Sequence, residues 1–471
     1  MRLLPLLLAA CATAPVAPPV LPVRPAPATP VPVVAVAPVH DPDHRRGALP
    51  SAEARRAELG AVRQSLAAMY AHRLEKESRW GLDEDALFRE AEAQLVAATA
   101  WAGYDAAIYA LLARFHDGHL SYHPPSTAAP AKGYASYRLG LSTVLGSNDA
   151  LLVATVDAGS DLAAAGVVPG DEITVIDGDP VPDLLAHAVA SRAWSRPEAA
   201  RNDWAITWTA VLYPKGDPPR RRRLTVATRS GGKLTVAITP QLAPKRGDRV
   251  TVVNDGDVAI VAIRSLEPAK GRLEAIDAAL ATARTAKAIV LDLRGDRGGV
   301  DTIGNRIVAD LGESKLTLGR FRVLMAPETI ARRPRWKHLV AAADGYSQPE
   351  DIVVDGLPAG QGFTGPIAVL VDASCASTCE TVVGALRADL HAVLVGATTA
   401  GSSGAPVEVK LPASGATIAI PTWSLVTPDG HEIESVGVVP DVPMVAPPAG
   451  LATGDPVLRA ALDDVRARLH P

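Results

Sequence analysis

No apolar run in this 471-residue chain is long enough to cross a bilayer. No strand-like segment leads into GxGxxG or GxxxxGKS/T, so the backbone cradles for dinucleotides and nucleotide phosphates are missing. HExxH and clustered cysteine ligands are absent as well, which leaves a metal site, or any other cofactor, unsupported. Cysteine itself is scarce: Cys11, Cys375 and Cys379 are the only three. The chain also lacks excess positive charge. Its formal net charge of −4 argues against a nucleic-acid partner. The one basic cluster, Arg220 to Arg223, follows Pro218-Pro219 and reads as a solvated hairpin flank. What the chain does have is 48% apolar residues and length for two or three domains with a sizeable core.

The N-terminus reads as an address. Met1-Arg2 carries positive charge, Leu3 to Leu8 is a short apolar core, and Leu8-Ala-Ala-Cys11 follows. This resembles a bacterial lipoprotein signal (residues 1–10), which implies acylation of Cys11 and anchoring to the periplasmic face of a bacterial membrane. With Ala12 and not aspartate after the cysteine, the expectation is the outer membrane. Residues 11–48, mostly Pro, Ala and Val, form an extended tether. Ser51 opens a helical region, residues 49–132, with apolar stripes at Leu59, Val62, Leu66 and Met69 and at Leu87, Ala91 and Leu95.

From Gly133 the pattern changes to short strands and turns. Leu151 to Gly178 gives a strand, a small helix around Leu162 to Ala165, a Gly166 stop, and a strand closed by Asp177-Gly178. With Pro169-Gly170-Asp171 and Ile176-Asp-Gly178, residues 133–242 look like a PDZ domain, which binds extended chain ends by strand addition. The resemblance puts Leu139-Gly140-Leu141 in a carboxylate-binding loop. Trp194 to Tyr213 reads as an insertion or an extended hairpin.

Residues 243–450 alternate strands and helices, with β-rich runs at Val258 to Ile263, Ala288 to Leu293, Ile367 to Val371 and Ala392 to Val395. An α/β core with a largely parallel sheet is expected, followed by a C-terminal helix in 451–471. Ser377 sits where the strand Ile367 to Val371 runs into a helix carrying Val382, Val383, Leu386 and Leu390. A serine at such a corner lies at the carboxyl edge of a sheet, beside free helix N–H groups that favour a developing oxyanion. Capping of that helix is the other reading, and Ser374 or Thr378 would serve equally. Cys375 and Cys379 flank the corner, either as a disulfide or as two inert buried thiols. Three further segments stand out: Asp292-Leu-Arg-Gly-Asp-Arg-Gly-Gly299, otherwise a tight turn; His116-Asp-Gly-His119, otherwise a surface histidine; and Thr427 to Asp441, a loop with two glutamates.

In this order, the segments resemble the C-terminal processing (tail-specific) serine protease family, over roughly His116 to Pro443. That implies a ClpP/crotonase-like α/β core with an inserted PDZ domain, and polypeptide substrates with accessible or unfolded C-termini. It implies Ser377 as nucleophile, with Gly298 or Gly299 and the Thr378 amide as oxyanion hole. Asp296 stands where the family usually has asparagine. Where the tail-specific branch places a catalytic lysine, this chain has Ser402, and Lys410 is eight residues on. The branch similar to the tricorn core and interphotoreceptor retinoid-binding protein uses a histidine, which Asp117-Gly118-His119 matches, and a glutamate, which Glu434 matches. That arrangement has a further serine just before the histidine, where Gly118 stands; Ser402 or Ser403 is the candidate to complete the relay. Two other functions stay open: an inactive binding scaffold of the same fold, and an esterase using Ser377.

Overall fold

The computed structural model describes residues 46–125, 134–191, 193–215, 217–243 and 249–470. Cys11, the signal at 1–10 and nearly all of the tether lie outside the described residues. Among the described residues no helix is long and apolar enough to cross a membrane.

The core is a six-stranded sheet in the order Val250–Asp255, Val258–Ile263, Ala288–Asp292, Ile367–Val371, Val393–Gly396, Val442–Pro443. The first pair is antiparallel and the rest are parallel. Both faces are covered, which is why these strands read as unbroken apolar runs. On one face Val261, Leu291, Val369 and Leu394 pack under the helices Arg272–Ala283, Asp301–Leu311 and Thr378–Leu390. On the other, Val290, Leu370 and Val395 meet Val457, Ala461 and Val465 of the C-terminal helix Pro456–Leu469. The registers Asp292↔Leu370 and Val371↔Gly396 bring the carboxyl ends of three parallel strands to one edge. In an open parallel sheet, that edge is where ligands bind.

Four helices, Ala52–Met69, Arg73–Trp80, Glu84–Ala97 and Trp101–Ala113, make the N-terminal region. Their shared core takes in both expected stripes and continues into Ile418 and Ile420. The strand Ser121–His123, which follows His119, pairs with Thr417–Ile420. This pairing fastens the histidine segment to a distant part of the chain.

Residues 134–242 contain a six-stranded sheet in the order Leu141–Leu145, Leu151–Val156, Glu172–Ile176, Arg222–Ala227, Lys233–Ile238, with the short strand Asp179–Pro180 pairing to Glu172–Ile176 off this path. The helices Asp161–Ala164 and Val181–Ala190 accompany it over a separate apolar core. Trp194 to Tyr213 differs from its reading as an insertion or hairpin. It contains the helix Pro197–Thr207 and then the strand Ala210–Pro214, which pairs with Tyr134–Arg138. Pro197 at the first helical turn and the small buried Ala199, Ala200 and Ala205 account for the helix.

Candidate active site

Ser377 terminates the turn after Ile367–Val371 and occupies the N-cap position of Thr378–Leu390. Its backbone has positive φ, 59°, with ψ −128°, a sparsely populated conformation that costs a non-glycine residue about 1–3 kcal/mol. Two bonds hold it there: the Ser377 N–H donates to the Ser402 carbonyl at 2.8 Å and to Glu380 Oε2 at 3.2 Å. Glu380 is fully buried, and its two oxygens also accept the Gly401 and Ser402 amides and the Thr399 hydroxyl. Burial pushes its carboxyl up to about 8 despite these donors. Cys375 and Cys379, both buried, are joined as a disulfide across the corner.

The glycine-rich turn after Ala288–Asp292 lies alongside because the two strands are parallel neighbours. Asp372 links the loops by accepting the amides of both Gly295 and Ser374. Gly298 has φ +83°, and a Cβ there would stand 2.9 Å from Ser377 Cβ and 3.0 Å from the Thr378 nitrogen, so only glycine fits. The Gly298 amide, however, donates to Asp296 Oδ1 at 2.8 Å. Among the described residues, no hydrogen bond engages the Gly299 or Thr378 amide. Asp296 is fully buried, its Oδ2 has no hydrogen-bond partner among the described residues, and burial pushes its carboxyl up to about 7.

His119 arrives from the N-terminal region. Its Nε2 lies 3.1 Å from Ser377 Oγ and its Nδ1 lies 2.9 Å from Ser402 Oγ. A Cβ at Gly118 would be 2.6 Å from Ser402 Oγ. The Ser402 hydroxyl therefore fills the space that a side chain just before the histidine would take. Burial pulls the His119 imidazole below the usual histidine value, with nearby His72 adding to the shift and Asp117 opposing it.

Behind His119 is a buried polar network. Asp117 accepts the His119 backbone N–H at 2.9 Å, the Tyr70 hydroxyl at 3.0 Å and contacts His72 Nδ1 at 2.8 Å. Burial alone would raise the Asp117 carboxyl, but His72, Lys76 and His119 hold it well below the usual carboxylate range. Glu434 does not reach His119: its Oε1 accepts Lys76 Nζ at 2.6 Å and its Oε2 accepts the Ser403 amide at 2.9 Å. Lys76 is fully buried in that ion pair. His72, Asp117 and Glu434 lie close enough to resemble a metal set, but the Lys76 ammonium already occupies the Glu434 side of it. The Ser403 hydroxyl has no hydrogen-bond partner among the described residues.

The structure thus brings Ser377, His119, Ser402, Thr378, Gly298 and Gly299 together and leaves Glu434 and Ser403 one layer back. Lys410 is exposed at the end of the strand Val407–Lys410. Leu139 and Leu141 are buried in the core of the inserted domain, and the Leu139 amide donates to the Thr209 carbonyl. The sequence reading missed Tyr70, His72 and Lys76, which carry no local signal. It also missed the segment 195–203, which touches every loop of the site. Ser195 Oγ accepts the Gly118 amide, Arg196 donates to the Thr398 and Thr399 carbonyls, Asn202 donates to Ser374 Oγ, and Asp203 pairs with Arg297. Pro197 and the alternation of small with polar residues are the signal that could have found that helix.

Residues 257–444 match the profile of peptidase family S41. A carboxyl-terminal-processing protease of Picosynechococcus sp. is 26% identical over 297 residues, covering 62% of this chain and 60% of the relative. A chloroplastic C-terminal processing peptidase of Tetradesmus obliquus is 25% identical over 359 residues, covering 72% and 67%. The chain spans 60% of the length of the first of these relatives. Among solved structures, mature CPAF complexed with lactacystin superposes with a TM-score of 0.64 at 16% identity, covering 88% of this chain and 98% of that one. Mature CPAF alone gives 0.65 at 16%, covering 87% and 96%. These likenesses extend the shared fold across the helical region, the inserted domain and the core.

Proposed function

We propose that this chain, a peptidase family S41 protein over residues 257–444, is a serine endopeptidase that cleaves polypeptides through an acyl-enzyme on Ser377. The observation that carries this is the 3.1 Å approach of His119 Nε2 to Ser377 Oγ at a strained corner flanked by unengaged amides. Ser402 accepts the Nδ1 proton of His119, which leaves the Nε2 lone pair facing Ser377. His119 removes the Ser377 proton as the hydroxyl attacks the scissile carbonyl, and the oxyanion forms against the Gly299 and Thr378 amides. His119 then protonates the leaving amine, and water repeats the sequence to release the acyl group. A hydroxyl at Nδ1 offers no counter-charge to the imidazolium. Asp117, bonded to the backbone of the same histidine, supplies negative charge nearby.

The relatives are C-terminal processing proteases, and their substrate class carries over as polypeptides with accessible or unfolded C-termini. Residues 133–242 present them as a PDZ-like module, with Leu139-Gly140-Leu141 at the carboxylate end. The bacterial relatives fit a periplasmic setting, and acylated Cys11 holds the enzyme to the membrane, with the outer membrane favoured by Ala12. A fluorophosphonate probe tests the chemistry. The wild-type protein should label on Ser377 and degrade an unfolded protein substrate, and Ser377→Ala should do neither while keeping its melting temperature. Turnover retained by Ser377→Ala would remove Ser377 as nucleophile.

A further inference from the structure

A cleft of about 960 Å³ opens beside the oxyanion loop, between Ile206-Thr207 of the inserted domain and the start of the helix Arg272–Ala283. Gly298 lines it on one side and abuts Ser377 on the other, so a chain threaded across the nucleophile continues into this space. Its charge is lopsided. Arg249, Arg264, Lys270, Arg272 and Arg297 line it, against Glu267 as the one acid among the described residues that line it. Arg264 is neutralised by Asp292 and Arg297 by Asp203. Lys270 and Arg272 have no ion pair among the described residues; Arg272 makes a 3.4 Å contact to the Ser265 carbonyl and lies near enough to buried Asp296 to favour its charged form. Two cations within a walled cleft concentrate a positive potential, and a guanidinium fork matches a carboxylate in geometry as well as charge.

Resting on the peptidase reading above, we propose that this cleft is a substrate subsite for a carboxylate, held chiefly by Arg272 and Lys270. The carboxylate belongs either to an acidic side chain near the scissile bond or to the end of the substrate chain. It gives the enzyme a preference for a carboxylate that the Gly299 and Thr378 amides of the oxyanion loop do not supply.

Binding to the Ser377→Ala protein tests this without any turnover. Fluorescein-labelled peptides of one sequence, with a single Glu scanned against Gln at each position, are measured by anisotropy as free acids and as C-terminal amides. A charge-assisted contact predicts about tenfold tighter binding or more for the matching carboxylate. A Glu-position effect identifies a side chain; an acid-over-amide effect identifies the terminus. Arg272→Gln with Lys270→Gln should erase the difference, and Arg272→Lys with Lys270→Arg should keep most of it. No preference of either kind in the intact cleft overturns the proposal, as does a preference that survives the double Gln variant. Failure of the peptidase reading shows separately, as absence of fluorophosphonate labelling on the wild-type protein.

Discussion

The two halves of the reactive pair are held in opposite ways. Ser377 is fixed mainly from nearby in the chain: its strand, its turn, its helix and Glu380 lie within residues 367–390, and its one further backbone bond reaches only to the Ser402 carbonyl. His119 is fixed by what is distant. Its partners Ser377 and Ser402 are 258 and 283 residues off, and Glu434 reaches Lys76 across 358. A nucleophile needs one strained backbone position. A base also needs its ring oriented and its charge state set, which takes several elements converging. The serine side should therefore tolerate changes in remote elements, and the histidine side should not.

The largest break in that comparison is loss of the base. His119→Ala should lower kcat/KM by about a thousandfold or more with the fold intact. In the wild-type protein the acid limb of the pH–rate profile should fall below the ordinary histidine pKa of about 6.5, because burial lowers the imidazole and keeps the base form populated at lower pH. An acid limb above that value would contradict the buried histidine.

Next comes the support behind His119. Lys76→Met leaves Glu434 buried without its cation, so it should cost about 3–5 kcal/mol in denaturant unfolding. Exposed Lys410→Met should cost almost nothing. Equal effects would mean that the network is not a determinant of the fold.

A smaller effect is expected at Ser402. Ser402→Ala should lower kcat by about tenfold to a hundredfold, the worth of one hydrogen bond to a ring that becomes charged. Gly118→Ser added to Ser402→Ala should recover part of this, because it places a hydroxyl in the same space. No recovery would show that the Ser402 hydroxyl is not interchangeable with one from position 118.

The smallest effect sharpens the serine side. Asp296 ionises as pH rises through about 7, placing a negative charge one hydrogen bond from Gly298. Activity should decline above that pH as the charge opposes the developing oxyanion, although Arg272 moderates it and Asp372 adds to it. Asp296→Asn should abolish the alkaline decline and leave the acid limb in place. A decline that persists in the variant would assign it elsewhere.

What could be read from the sequence follows the same division. The strands Val258–Ile263 and Ile367–Val371 begin and end where their apolar runs do, because both faces of the sheet are buried. Ser377, Gly298-Gly299 and His119 were legible from strand ends, paired glycines and a family resemblance. Lys76 was not, since a lysine on a helix of mostly charged residues looks solvated until Glu434, 358 residues on, is placed beside it. Ser402 could be named only as one of two candidates, because its choice over Ser403 depends on which hydroxyl faces Nδ1. The helix Pro197–Thr207 was missed because its buried face is built from alanines and an aspartate, too weak a pattern to read as amphipathic.

Among the described residues, the strand Ser121–His123 pairs only with Thr417–Ile420, and this sets a timetable. A chain emerging N-terminus first carries its histidine long before it carries anything that can aim it. The serine arrives later and still finds the base unanchored until residues near 435 are out. The alignment of His119 with Ser377 is thereby deferred until nearly all of the described chain is present.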